Sequence, residues 1–297
     1  MKKTLAVLTL TIGTLALTAC GGMRGGDTLS DAQAQAVGDS IASELESSTA
    51  SLTASDLVSQ GVSSASSAPS ALVSNQSAMK PPACVSFTPD PLSDTDGDGV
   101  PDTATYTFNC TKTRPGSGTK RVTGQAQLSD PGAGFNLSLT NLETEVRDSQ
   151  GNPLYTATRS GTRSAARSGS QITLSHDLSV SRQVTGLPAA SITNKSSLVF
   201  SATGGTVVQG QPLPSGTATV TGAYTWVRGG ESFGFALSTP TPLVYDSSCT
   251  DDLKIVSGVL RASLGGTSGS GGAGGSVRIT FNACGVKPSV LFVAAAS

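Results

Sequence analysis

The chain has 297 residues, of which 13% are charged and 4% aromatic, with a formal net charge of −1. That length suits one large β domain or two small domains, and the near-neutral charge gives no global attraction for nucleic acid. A mean hydropathy of +0.01 excludes an integral helical membrane protein. A single histidine, His176, excludes HExxH zinc hydrolysis and Cys2His2 zinc sites, which need two imidazoles.

The N-terminus opens with a short positive stretch, Met1-Lys2-Lys3, followed by an apolar run over 5–17. The run is shorter than the roughly 20 residues a spanning helix needs and suits a cleavable signal. It ends in Leu17-Thr18-Ala19-Cys20-Gly21, which resembles the lipobox of bacterial lipoproteins. The alternative is an ordinary signal followed by a chance cysteine. The resemblance implies cleavage before Cys20 and acylation of its sulfur. Residues 1–19 are then a signal peptide and 20–27 a Gly-rich lipidated tether in the cell envelope. Gly21, where sorting signals carry Asp, favours the outer membrane over the inner. Losing Lys2 and Lys3 leaves the mature chain at −3.

Residues 28–80 form the next unit. The spacing of Ala34, Val37, Ile41 and Leu45 predicts an amphipathic helix over 28–47. Ser30-x-x-Gln33 is its capping box, with Leu29 and Ala34 as the staple. A Ser/Ala-rich linker follows over 51–80, within which Asp56-Leu57-Val58 could start a second helix.

After Pro81 the apolar period changes to two. Tyr106, Phe108 and Cys110 alternate with polar residues, as do Val122, Gly124, Ala126 and Leu128, then Phe135, Leu137 and Leu139. The same alternation runs through Ile172, Leu174, His176, Leu178 and Val180; Ala218, Val220, Gly222, Tyr224 and Trp226; Phe233, Phe235 and Leu237; and Val277, Ile279, Phe281 and Ala283. Turn signals at Asp148-Ser149-Gln150-Gly151-Asn152, Gly204-Gly205 and Gly229-Gly230 separate the runs. The expectation for 81–297 is an antiparallel β domain of about nine to eleven strands. The fold class is mainly β: a curved meander sheet, open or a half-barrel, whose apolar face is covered by its own curl or by the N-terminal amphipathic helix. A transmembrane barrel is disfavoured, because the aromatics are too few for two girdles.

Charge is uneven. Residues 21–110 hold eleven acidic and two basic residues. Much of that excess lies in Asp94-Thr95-Asp96-Gly97-Asp98-Gly99-Val100-Pro101-Asp102. Carboxylates at positions 1, 3, 5 and 9 with Gly at 6 place hard oxygens around one point, as Ca2+ requires. The stretch resembles the calcium repeat of thrombospondin type 3 arrays and, more distantly, an EF-hand loop. The resemblance implies Asp94, Asp96, Asp98, Val100 (through its carbonyl) and Asp102 as ligands. Position 12 is Thr105, so water or Asp90 must supply the last ligand, and the expected affinity is modest, about 10⁻⁴–10⁻³ M. A solvated acidic turn is the alternative.

Apart from Cys20, four cysteines remain: Cys84, Cys110, Cys249 and Cys284. An oxidising compartment and an even count predict two disulfides. The midpoint of Cys84 and Cys110 is Gly97, so these two would face each other across a hairpin tipped by the aspartate loop. Cys249 and Cys284 flank the Gly-rich 265–275 in the same manner. Zinc is a weak alternative, since no CxxC spacing occurs.

Five other signals are discounted. Residues 269–274 match GxGxxG, but a strand follows. Gly230-Glu231-Ser232-Phe233-Gly234 matches GxSxG, but no helix follows and His176 precedes Ser232. His176 lies on an apolar face, where a packed histidine is the commoner outcome. Arg159, Arg163 and Arg167 read as a solvated hairpin more readily than as an anion-binding patch. Tyr224 and Trp226 read as core. The functional expectation is a non-enzymatic, lipid-anchored envelope protein with a structural calcium loop, docking on an envelope partner. The alternative is a periplasmic half-barrel carrier or chaperone of acyl chains.

Overall fold

The computed structural model describes residues 29–50, 84–89, 92–97, 100–114, 118–208, 213–250, 254–265 and 275–294. Cys20, the residues of the signal and tether expectations, Asp56-Leu57-Val58, Asp90, Asp98 and 269–274 lie outside these residues. Among the described residues, no helix is long and apolar enough to cross a membrane.

Helix α1 covers Asp31–Ala50. Its start is set by the capping box: the Ser30 amide donates to Gln33 Oε1 (2.8 Å) and the Gln33 amide to Ser30 Oγ (3.3 Å). Because Ser30 is the cap, the predicted span of 28–47 is moved three residues toward the C-terminus. Leu29 and Ala34 are both buried on either side of the cap, as a staple requires.

The strands are β1 (Val85–Thr88), β2 (Thr103–Arg114), β3 (Gly118–Ser129), β4 (Gly134–Arg147), β5 (Pro153–Ser168), β6 (Gln171–Val184), β7 (Ala190–Ala202), β8 (Gly216–Arg228), β9 (Glu231–Tyr245), β10 (Ile255–Gly265), β11 (Ser276–Phe281) and β12 (Ser289–Val293). Among the described residues they number twelve, against the nine to eleven expected, and form one antiparallel meander in chain order. The sheet stays open, with β1 and β12 as its edges. These are among its shortest strands, at four and five residues, which limits the main-chain edge left unpaired.

Local geometry at small residues bends the strands. Gly124 has φ +128° and Gly222 φ +142°. A Cβ at either would stand 2.5 Å from the Asn141 carbonyl oxygen or 2.3 Å from that of Lys195. These positions are kinks where neighbouring backbone comes close, so only glycine fits. Opposite Gly124, a bulge in β4 shifts the register between Leu139 and Leu142. Phe135 and Leu137 point to the core before it, whereas Leu142 and Thr144 do so after it. The alternation read over 135–139 therefore changes parity further along the strand.

Helix α1 lies on the buried face of the sheet. Its Ala34, Val37, Ile41 and Leu45 are all buried. At Gly38 the helix comes so close to β12 that a Cβ would meet Val290 Cγ1 at 2.4 Å. Tyr224 of β8 donates a hydrogen bond to Ser40 Oγ (2.9 Å), Gln33 Nε2 donates to Glu231 Oε2 (2.6 Å), and Lys287 pairs with Asp39 at 3.0 Å. Between α1 and the central strands remains a cavity of about 20 Å³, lined by Ile41, Leu45, His176, Asn194, Tyr224 and their neighbours.

Candidate functional site

Two places on this frame combine polar groups in a way the sheet alone does not require. One is the loop between β1 and β2; the other is the buried polar patch beneath α1.

The Cys84–Cys110 disulfide joins the start of β1 to β2, with Cα atoms 4.8 Å apart. The Asn109 amide also donates to the Cys84 carbonyl at 2.9 Å. Between these strands the chain turns through the aspartate loop. The Cys249–Cys284 disulfide ties the turn after β9 to the turn after β11. Both predicted pairings are present.

Inside the loop, Asp102 binds its own chain. Its Oδ1 accepts the Thr95 amide (2.9 Å), and its Oδ2 accepts the hydroxyls of Ser93 and Thr95, each at 2.7 Å. The Asp102 amide donates to the Ser93 carbonyl at 2.8 Å. Hydrogen bonds from the Thr95 amide, the Thr95 hydroxyl and Ser93 favour the carboxylate, holding Asp102 below its ordinary pKa of 3.8. Asp94 Oδ1 accepts the Gly97 amide (2.8 Å), and Gly97 takes φ +74°, while Gly99, the expected tight-turn glycine at position 6, lies outside the described residues. Val100 is fully buried, so its side chain pins the loop to the core while its backbone borders the acidic turn. Asp94 and Asp96 are exposed. Asp98 lies outside the described residues, and among those described no three His, Cys, Asp or Glu side chains gather as a metal-binding group. Position 12 of the loop, Thr105, is taken up in the β1–β2 ladder opposite Thr88.

The roles of Ser93 and Thr95 were not foreseen. A short hydroxyl side chain seven to nine residues from an aspartate carries no signal of its own in so Ser/Thr-rich a chain. Only the folded turn brings it to the carboxylate.

Beneath α1 the sheet buries Arg163, His176 and Asn194. Arg163 and His176 are register partners across β5 and β6, and Leu137 pairs with Arg163 from β4. Arg159, Arg163 and Arg167 are separated by even numbers along β5 and so share its inward face. Arg163 is only 8% exposed, which corrects the expectation of a solvated hairpin: the alternating register of β5 takes it into the core. His176 is packed, as its apolar neighbours predicted, and 6% exposed. Burial, with the Arg163 charge, pushes its pKa down from 6.5 to about 3. Trp226 and Tyr224 are core residues, Trp226 stacking at 5.9 Å on Phe233. Ser232 lies in β9 opposite Val227, away from any strand-to-helix elbow.

The chain matches no protein-family model, no curated protein and no solved structure. What the site can do is therefore argued from its own residues.

Proposed function

We propose that the protein is a non-enzymatic, lipid-anchored module of the cell envelope, tethered by acylated Cys20 in the outer membrane, that docks on an envelope partner and is ordered by Ca2+ at the β1–β2 loop. The observation that carries docking over transport is the occupied inner face. A carrier of acyl chains needs an unfilled groove, and α1 leaves about 20 Å³ there, room for roughly one water. Gly124 and Gly222 take positive φ where neighbouring backbone comes close, so their lack of a side chain is accounted for without a groove.

The calcium reading is supported by the order of oxygen-bearing residues in the loop. Asp94, Asp96, Asp98 and the Val100 carbonyl would hold the ion. Asp102 is already committed to Ser93 and Thr95, so a cation reaching it must compete with three hydrogen bonds. That competition fits a weak, structural site. The ion would neutralise the clustered aspartates and stiffen the loop, presenting a fixed surface to the partner.

Native mass spectrometry of the chain from residue 27, made under oxidising conditions and sprayed with and without Ca2+, tests both parts. A calcium adduct lost in Asp96→Asn/Asp98→Asn, with no other bound mass, is the expected result. A co-purifying lipid-sized mass that survives those substitutions would replace docking by the carrier. No adduct at millimolar Ca2+ would remove calcium from the proposal.

A further inference from the structure

The buried patch beneath α1 contains a titratable group for which neither fold nor docking has a use. His176 is 6% exposed, and among the described residues neither Nδ1 nor Nε2 has a hydrogen-bond partner. Asn194 Oδ1, also buried, is in the same condition. Both residues line the cavity, which Ile41 and Leu45 of α1 close from above. A neutral imidazole is tolerated there. An imidazolium is not, because burial cuts it off from bulk water and the charge of Arg163 stands across the β5–β6 ladder.

Two elements could move to relieve such a charge. Strand β6 is paired along its length to β5 and β7, so His176 cannot swing out without breaking both ladders. Helix α1 shares no ladder and, among the described residues, is held by side chains: the apolar row Val37, Ile41 and Leu45, the Tyr224–Ser40 and Gln33–Glu231 hydrogen bonds, and the Lys287–Asp39 pair.

We propose that α1 is an acid-released cover: one proton taken up at His176 is coupled to departure of α1 from the inner face of the sheet. With the helix gone, water enters the cavity and solvates the imidazolium beside Arg163, and the apolar face under Ile41 and Leu45 is exposed. The other ionisable groups described at this interface are Arg163, Tyr224, Glu231 and the Asp39–Lys287 pair. Comparison with the His176 variants assigns the response between pH 7 and 5 to the histidine.

The test is hydrogen exchange of the full mature chain, followed by mass spectrometry at pH 7, 6 and 5 and corrected for intrinsic exchange rates. Coupling to one proton predicts that opening of amides 34–45 rises about tenfold per pH unit below about 6, while β6–β8 keep their protection. In His176→Leu the helix should show the same opening at every pH. His176→Gln, polar but untitratable, serves if the leucine variant does not fold. Asp39→Asn should keep the wild-type slope. The proposal is overturned if helix protection is flat in the wild type, if helix and sheet open together, or if the slope survives in the His176 variant.

Discussion

Beneath α1, Val37, Ile41 and Leu45 meet the sheet out of contact with water, whereas Asp94, Thr95, Asp96 and Gly97 of the β1–β2 loop are all exposed. The first region is ordered by burial, which ignores salt and keeps His176 neutral beside the charge of Arg163. The second is ordered by hydrogen bonds to carboxylates in water, and each such bond adds little to global stability. The loop is nevertheless fixed at its base, by the Cys84–Cys110 disulfide and by Val100 in the core. The contrast teaches that one sheet keeps its rigid parts where side chains are apolar and leaves its chemistry where they are not. Four substitutions or conditions separate the two.

The largest effect belongs to the base of the loop. Replacing Cys84 and Cys110 together by Ser opens a loop with a sequence separation of 26. In the chain-entropy account this costs about 3.5 kcal/mol. Urea unfolding with and without the pair should show that loss while β6–β9 retain their ladder.

Next is the helix seat. Ile41→Ala removes a side chain only 4% exposed and should cost about 3 kcal/mol. If α1 were a loosely attached segment, the denaturant midpoint would barely move.

Acid acts on the same seat. His176 has a folded pKa of about 3 against 6.5 when unfolded, so the unfolded chain binds its proton first as pH falls. Stability from this group is complete above about pH 6.5 and declines toward pH 3, with a loss of about 2 kcal/mol at pH 5. Unfolding of His176→Leu should lack that share of the acid dependence.

Much of this architecture was legible in the sequence. The capping box at Ser30 and Gln33, the buried row of α1, the period-two faces and both disulfide pairings follow from spacing, because in each case one short-range rule dominates. What escaped depends on a single residue altering a long-range register. The extra residue at the β4 bulge changes the parity of the strand without altering its composition. Arg163 sits among Ser, Thr and Arg, a composition that reads as solvent-facing, yet its register opposite His176 takes it inside. The short edge strands β1 and β12 give too few alternations to count. In the loop, the aspartate spacing was visible, but the commitment of Asp102 to Ser93 and Thr95 arises only once the turn has closed.

That commitment yields the smallest effect. Asp102 accepts bonds from Thr95 and Ser93 that hold its pKa low, so the loop gains order above the ordinary carboxylate value and loses it as pH falls through the lowered one. Asp102→Ala removes all three bonds at neutral pH. Because the group is solvent-exposed, the melting temperature of the sheet should stay in place. The change should instead appear in exchange at the Thr95 amide, which loses its acceptor, and then at the Gly97 amide as Asp94 loses the turn that positions it. Faster exchange confined to these amides would show that the loop is ordered from within by Asp102. Faster exchange spreading into β1 and β2 would mean that the loop supports the edge of the sheet, and the two regions would no longer be separable.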